Sequence, residues 1–392
     1  MRKTYQFRIY PGRKQEVVLN RTLSTCRHLY NDSLSERKRE AELNELERTF
    51  GIVPWGKPKW IEYEDQQNAL PLTKTPYQKE VFSQVLQNVL KRIDRSFKNF
   101  FRGFGYPRFQ GRDRYNSFTY PQKGFELKDG KLYLSKIGSF KIILHREIEG
   151  KIKTCTIKRD IDQWYATFSC EIDNPVPVEI KIKTGIDVGL IDLITLSNGE
   201  QVKTPKFLRE SENKLTHEQK RLSRKKIRSK NRKQQAIIVA KVHRRIRNQR
   251  KDFAHKLSRT LINTYDHIVF EDLQIKNMVQ NHCLAKSISD AGWYQLMNLT
   301  EYKAAYAGKF VEFVNPAGTS QTCICGFSVP KDLSVRVHIC PFCGLVMGRD
   351  RVSAILIENR PSCTVGTTGI YDRQGLSIES RCSGTLRGFS PE

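Results

Sequence analysis

A carboxylate in the middle of an apolar strand constrains this chain more than any other feature of its sequence. Gly185-Ile186-Asp187-Val188-Gly189-Leu190 reads as a strand, and Asp187 interrupts its apolar run. An ionised carboxyl has no place among buried side chains unless something compensates its charge. Two further acids stand in comparable settings. Glu271 closes the short apolar strand His267-Ile-Val-Phe-Glu271, and Asp350 leads an apolar helix from Arg351 to Asn359.

An acid at a strand centre, an acid at the end of a neighbouring strand and an acid on a late helix form the layout of the RNase H fold. There such acids converge on two divalent ions about 4 Å apart. Carboxylate oxygens suit Mg²⁺ or Mn²⁺, and the acids would repel one another without the ions. Taken singly, each has a plainer reading: Asp187 as a turn acid, Glu271 as a helix-entry acid, Asp350 as an N-cap.

The partner is indicated by charge. The chain has 392 residues, enough for two or three domains, with 68 Lys and Arg against 41 Asp and Glu, a net charge of +27. That excess calls for a polyanion. The longest apolar runs, such as Ile237 to Ala240, are too short to cross a bilayer, and the N-terminus has no signal-peptide core. Nucleic acid is therefore favoured over membrane. From Lys220 to Lys251 there are fifteen Lys or Arg and no acid, so we expect this stretch to bind phosphates and not to form a salt-bridged surface. Arg224, Lys225, Lys226, Arg244 and Arg245 are its candidate contacts. Phe100-Phe101-Arg102, Tyr106-Pro-Arg108-Phe109 and Arg112-Asp-Arg-Tyr115 mix bases with aromatics, as stacking on nucleic acid requires; ordinary core packing is the alternative for Phe97, Phe100 and Phe101.

Ten cysteines include a cluster of four, Cys323-Ile-Cys325-Gly and Cys340-Pro-Phe-Cys343-Gly. The second is half of a zinc ribbon, and the first is one residue short of the usual Cys-x-x-Cys. We assign Zn²⁺ to Cys323, Cys325, Cys340 and Cys343, with His338 as a possible substitute ligand. The spacing of the others does not describe a secreted disulfide scaffold, so a reducing cytoplasm is expected.

Along the chain, residues 4–10 alternate as a strand and Pro11-Gly12 ends it. Val17, Leu19, Leu23, Cys26 and Tyr30 mark a helix. Residues 40–77 read as polar and irregular. Val81, Val85, Val89, Ile93, Phe97 and Phe101 mark a second helix from about Lys79. Strands follow between Gly105 and Ile172, then a linker at Asn174-Pro-Val-Pro-Val. Ser197-Asn-Gly-Glu200 is a hairpin turn, and long helices run from about Lys214 to Tyr265. The tail from Pro361 reads as disordered.

In this order the motifs resemble the TnpB family, transposon-encoded RNA-guided nucleases related to type V CRISPR effectors. The resemblance covers nearly the whole chain up to residue 359. It is carried by Tyr5-Gln-Phe-Arg-Ile-Tyr-Pro11, Arg27-His-Leu-Tyr-Asn31, Phe97-Lys-Asn-Phe-Phe101, Gly105-Tyr-Pro-Arg-Phe109, Gly185-Ile-Asp-Val-Gly189, Leu222-Ser-Arg-Lys225, Asp252-Phe-Ala-His-Lys-Leu-Ser258, Glu271-Asp-Leu273, Ser287-Ile-Ser-Asp-Ala-Gly-Trp293, Thr319-Ser-Gln321 and Cys340-Pro-Phe-Cys-Gly344. It implies a multidomain α/β chain. A wedge β-barrel (1–10 and 105–178) would hold an inserted helical recognition lobe (11–104). An RNase H-like RuvC nuclease domain (181–314 and 347–360) would hold a zinc-ribbon target-loading insert (315–346).

The resemblance also implies a transposon-derived guide RNA that selects target double-stranded DNA beside a short flanking motif, in a prokaryotic cytoplasm or nucleoid. Asp187, Glu271 and Asp350 match the family's catalytic acids, and Gln87, Asn88 and Thr119 fall where it reads the flanking motif. Two departures stand out. The family's His-Asp-Arg-Asp-x-Asn-Ala-Ala is here Met347-Gly-Arg-Asp350-Arg-Val352-Ser-Ala, lacking the first Asp and the Asn, and the first cysteine pair is shortened. The leading expectation is an active Mg²⁺-dependent DNA endonuclease. The alternatives are a guide-bound DNA-binding protein or repressor that does not cut, and a zinc-bearing transposase accessory factor.

Overall fold

A computed structural model describes residues 1–51, 60–332 and 335–360. The tail from Pro361, read above as disordered, lies outside the described residues. The chain divides into two compact units, Met1–Asn174 and Pro175–Glu392, and the boundary falls in the Pro-Val-Pro-Val segment.

The first unit opens with β1 (Arg2–Tyr10) and four helices: α1 (Arg13–Phe50), α2 (Tyr63–Thr73), α3 (Pro76–Lys79) and α4 (Ser83–Phe101). Six strands follow: β2 (Ser117–Tyr120), β3 (Phe125–Lys128), β4 (Lys131–Leu134), β5 (Gly138–Ile142), β6 (Lys151–Asp160) and β7 (Gln163–Glu171). All seven strands form one antiparallel sheet in the order β2-β6-β7-β1-β5-β4-β3. The expected barrel is realised only in part. The edge strands β2 and β3 are not paired with each other among the described residues, although Tyr120 of β2 donates its hydroxyl to the Ser135 carbonyl at 2.9 Å. Period-two alternation puts Tyr5, Phe7, Ile9, Phe118, Ile157, Trp164 and Phe168 in one core with Leu19, Leu23 and Cys26 of α1 and Val85, Leu86, Val89 and Ile93 of α4. Val17 and Phe101, assigned above to the helical apolar faces, are instead exposed.

The irregular reading of residues 40–77 is corrected for 40–51 and 60–77, and residues 52–59 lie outside the described residues. α1 continues to Phe50 and ends at Gly51, whose φ of 67° supplies the left-handed C-terminal cap. α2 docks on α1 through buried polar groups: Gln66 Nε2 donates to the Ser33 carbonyl at 2.9 Å, and Arg37 Nε donates to Gln66 Oε1 at 2.9 Å. The apolar contribution of α2 to the core is only Leu70, with Tyr63 packed beside it, too little to show as a stripe.

The second unit begins with β8 (Lys183–Val188), β9 (Asp192–Leu196), β10 (Gln201–Lys203), α5 (Phe207–Ser223) and α6 (Lys230–Thr264). It continues with β11 (His267–Glu271), α7 (Ile275–Met278), α8 (His282–Ala291), α9 (Trp293–Ala307), β12 (Phe310–Val314), β13 (Val337–Ile339), β14 (Val346–Gly348) and α10 (Arg349–Asn359). Its sheet has the order β10-β9-β8-β11-β12, with β8, β9 and β10 antiparallel and β8, β11 and β12 parallel. One face packs Ile186, Ile268 and Phe270 against Leu261 of α6 and Leu296 and Ala304 of α9. The other face packs Val269 and Val314 against Ile357 of α10. β13 and β14 form a separate hairpin. No helix of the described residues is long and apolar enough to cross a membrane.

Candidate functional site

Strand alternation aims two acids at α10. Ile186 pairs with Phe270 in the parallel register, so Asp187 and Glu271 are the next residue on each strand. Glu271 shares the strand face of Val269, the face that packs on α10. Asp187 shares the face of Gly185, where a Cβ would lie 2.1 Å from the Ala354 carbonyl oxygen and 2.5 Å from the Glu358 nitrogen. Only glycine allows α10 to lie directly on β8. Asp350, one turn before Ala354, thereby comes to the end of β8 that carries Asp187. The loop after β8 is fixed by Trp293, whose indole N–H donates to the Gly189 carbonyl at 3.0 Å.

The electrostatics agree with this convergence. Burial, then the charges of Glu271 and Asp350, push Asp187 up to about 8, against the partial offset of Arg349 and the Val188 amide. Glu271 is also raised, by burial, while the Thr319 hydroxyl and Arg360 oppose the shift. Thr319 Oγ1 donates to Glu271 Oε1 at 2.5 Å. Asp350 Oδ1 accepts from Arg349 Nη2 at 2.9 Å and Nε at 3.0 Å, and its Oδ2 lies 3.8 Å from Arg336 Nη1. Arg349 also donates Nη1 to the Val335 carbonyl at 3.1 Å. Three partly or fully buried carboxylates, two with raised pKa values, have the chemistry that a hard divalent cation takes, although their oxygens are not gathered as closely as the cysteine sulfurs, the one group spaced to hold an ion among the described residues. Thr319, Arg336 and Arg349 had no role in the sequence reading. The Thr319-Ser-Gln321 motif was the available signal for the first.

The four clustered cysteines meet. Their sulfur atoms all lie within 4.8 Å of one another, with Cys323 to Cys343 at 3.6 Å and Cys325 to Cys340 at 3.7 Å. Four thiolates about 2.3 Å from a central Zn²⁺ would sit about 3.8 Å apart in a tetrahedron, so the spacing fits. The short first pair is accommodated by a turn like the second: Gly326 N–H bonds to Cys323 O, and Gly344 N–H bonds to Cys340 O, each glycine at positive φ. His338 is fully buried next to Lys331 Nζ, and it is not among these four ligands.

The nucleic-acid candidates are dispersed. Gln87 and Asn88 are half-buried on α4, and Thr119 on β2 has its hydroxyl engaged by Arg92 Nη2 at 2.9 Å and by Thr156 Oγ1 at 2.9 Å. Arg108 is exposed in a segment with the exposed rings of Phe101, Phe104, Tyr106 and Phe109. Arg224, Lys225 and Lys226 follow α5, while Arg244 and Arg245 lie on α6. The basic stretch is not wholly without acids in space: Arg250 pairs with buried Asp290 at 2.5 Å, and Arg221 lies 3.5 Å from Glu218. Arg232 caps α5 by donating to the Leu222 carbonyl at 2.7 Å.

Comparison with known proteins adds a family. Residues 167–282 match the IS605 OrfB family, described as "Probable transposase", and residues 293–357 match a Cas12f1-like TNB domain. Residues 1–46 match a helix-turn-helix domain, although here they fold as β1 and one uninterrupted helix. The chain is 32% identical over 365 residues to a Streptomyces pristinaespiralis protein named "Putative RNA-guided DNA endonuclease", covering 89% of this chain and 87% of that one. It is 31% identical over 351 residues to "Putative RNA-guided DNA endonuclease InsQ" of Escherichia coli K12, covering 84% and 85%. Among solved structures, Cas12f1 in a complex with sgRNA and target DNA superposes with a TM-score of 0.55 at 14% identity, covering 92% of this chain and 99% of that one. That likeness is one of fold.

Proposed function

The chain belongs to the IS605 OrfB family, whose relatives include TnpB-like proteins, and from that premise we propose that it is an RNA-guided, Mg²⁺-dependent DNA endonuclease encoded by a transposon. On this reading it cuts guide-matched double-stranded DNA beside a short flanking motif. The observation that carries the reading is Asp187, a carboxylate raised to about 8 by burial and by two acids that are 84 and 163 residues away in sequence. A purely structural fold gains nothing from such repulsion.

Asp187, Glu271 and Asp350 are the residues that would hold Mg²⁺ or Mn²⁺. The chemistry that such ions would supply there is activation of the attacking water and stabilisation of the leaving oxygen. The chain's own part is positional. Thr319 holds one oxygen of Glu271, Arg349 and Arg336 hold Asp350, and Gly185 lets α10 bring Asp350 to β8. The four cysteines would hold Zn²⁺ in the insert 315–346 of an RNase H-like RuvC domain (181–314 and 347–360). Residues 1–10 and 105–178 are read as the wedge and 11–104 as the recognition lobe, where Gln87 and Asn88 would read the flanking duplex and Arg92 would hold α4 to Thr119. Guide RNA would lie on the basic helices α5 and α6 and the exposed aromatics around Arg108.

A second reading, a guide-bound DNA-binding protein that does not cut, draws on one observation: Val352 is buried, so no polar side chain stands where the resembled motif has Asn. The test is co-expression with RNA from the 3′ end of the reading frame, then incubation with supercoiled DNA bearing the guide-matched target and Mg²⁺. Guide-dependent cleavage is expected, and Asp187→Asn should abolish cutting while target binding persists. Binding without cleavage by the unaltered protein would establish the second reading. Absence of any co-purified RNA would end both.

A further inference from the structure

The first unit contains a cavity that the carboxylate site does not use. It has a volume of about 310 Å³, and its polar wall is Asn20, Ser24 and Arg27 of α1, Arg112 and Asp113 of the segment before β2, and Arg159 of β6. Three guanidiniums against one carboxylate leave two positive charges in excess. Arg27 and Arg159 are half-buried. Arg112 and Asp113 are exposed at the mouth. None of the three arginines forms an ion pair among the described residues; Arg27 Nη2 lies 2.7 Å from His28 Nε2, and Arg159 Nη1 donates to Asn20 Oδ1 at 2.7 Å. Partly desolvated guanidiniums without a counter-ion are costly, and an anion entering the cavity would offset that cost. The planar fork of arginine suits phosphate oxygens.

The wall is tied down on both sides. Asn31 on α1 grips Gln110 twice, Nδ2 donating to its carbonyl at 3.1 Å and Oδ1 accepting from its amide at 2.8 Å. Farther along, the Arg159 amide donates to the Asn116 carbonyl at 2.8 Å. Arg112 and Asp113 sit between these two anchors, so the cavity is preorganised. Asp113 decides the class of ligand. A carboxylate repels a phosphate but accepts a hydrogen bond from a hydroxyl, and the 2′-hydroxyl is the group that RNA has and DNA lacks.

We propose that this cavity is a ribonucleotide pocket: Arg27, Arg112 and Arg159 hold one backbone phosphate, and Asp113, aided by Asn20 and Ser24, accepts the adjacent 2′-hydroxyl. This deepens the reading of RNA as the chain's partner and rests on it. The test uses the full-length protein with a short oligouridylate and its 2′-deoxy counterpart, read by fluorescence anisotropy over a salt series. The unaltered protein should prefer the ribose form. Arg27→Gln should weaken oligouridylate binding roughly 10-fold and flatten the log–log salt slope by about 0.7, the loss of one single-strand phosphate contact. Asp113→Ala should equalise the ribose and deoxyribose forms. Lys128→Gln, at an exposed position on the edge strand β3, at the other end of the sheet order from β2 and β6, serves as the charge control, and an unchanged thermal midpoint shows that Arg27→Gln folds. Wild-type affinity and slope in Arg27→Gln, or equal binding of the two oligomers by the unaltered protein, would overturn the proposal. The guided reading has its own readout: a protein that co-purifies with no RNA yet shows these oligouridylate effects keeps the pocket and loses the guide.

Discussion

Lys303, on α9, ends in a buried ammonium that donates to the His255 carbonyl at 2.6 Å and to Ser258 Oγ at 2.7 Å. Burial, helped by the charge of Arg259, brings it down to about 8 from the ordinary lysine value of 10.5. Between those two pH values the unfolded chain holds a proton that the folded chain has shed. Stability from this residue therefore rises with pH across that window, and its full cost is felt below about pH 8. Lys303→Met should remove the rise: from pH 8 to pH 10 the urea midpoint of the wild type should gain on that of the variant. A constant difference would show that Lys303 does not titrate there. At this scale the sequence was partly legible. Asp187, Glu271 and Asp350 were visible because an acid in an apolar run is anomalous by itself. Thr319, Arg336 and Arg349 were not, because a hydroxyl or guanidinium reveals nothing until its partner is known, and the partner of Thr319 is 48 residues away.

Elements were legible where they show an apolar period and obscure where they do not. β11 and β9 are short apolar runs buried on both faces, and α6 buries one apolar stripe, so these elements follow their patterns closely. The end of α1 and the whole of α2 escaped notice because α2 is seated through Arg37 and Gln66 and puts only Leu70 and Tyr63 on the core. The contact of α10 with β8 is the element-level feature on which the acid site depends. Gly185→Ala would force a methyl group into the α10 backbone, so we expect a loss of about 1–3 kcal/mol in urea denaturation and cleavage reduced along with it. Unchanged stability would mean that α10 has room to shift. The cysteine turns make a separate prediction: the purified protein should contain one zinc per chain, and Cys325→Ser should lower that occupancy sharply despite the short Cys-x-Cys spacing. Elemental analysis reads both, and a zinc content near zero would show the cluster to be metal-free.

At the scale of the molecule, the two units have separate cores. Every member of the largest apolar cluster, from Tyr5 to Cys170, belongs to the first unit, and the Met1 ammonium donates to the Ile172 carbonyl at 2.8 Å, tying its two ends together. Residues 1–174 expressed alone should unfold in a single cooperative thermal transition; a gradual loss of ellipticity would mean that this core needs the second unit. The charge of +27 and the motifs in their order are properties of the sequence alone, and the expectation of a nucleic-acid partner and the choice of the three acids both came from them, because charge excess and residue type need no coordinates. Only the tertiary structure decided which groups face one another: Asp187 against Glu271 and Asp350, four sulfurs at tetrahedral spacing, and three arginines around one aspartate. Such meetings depend on strand register and on how closely α10 approaches Gly185, and both are set by packing between segments far apart in the chain.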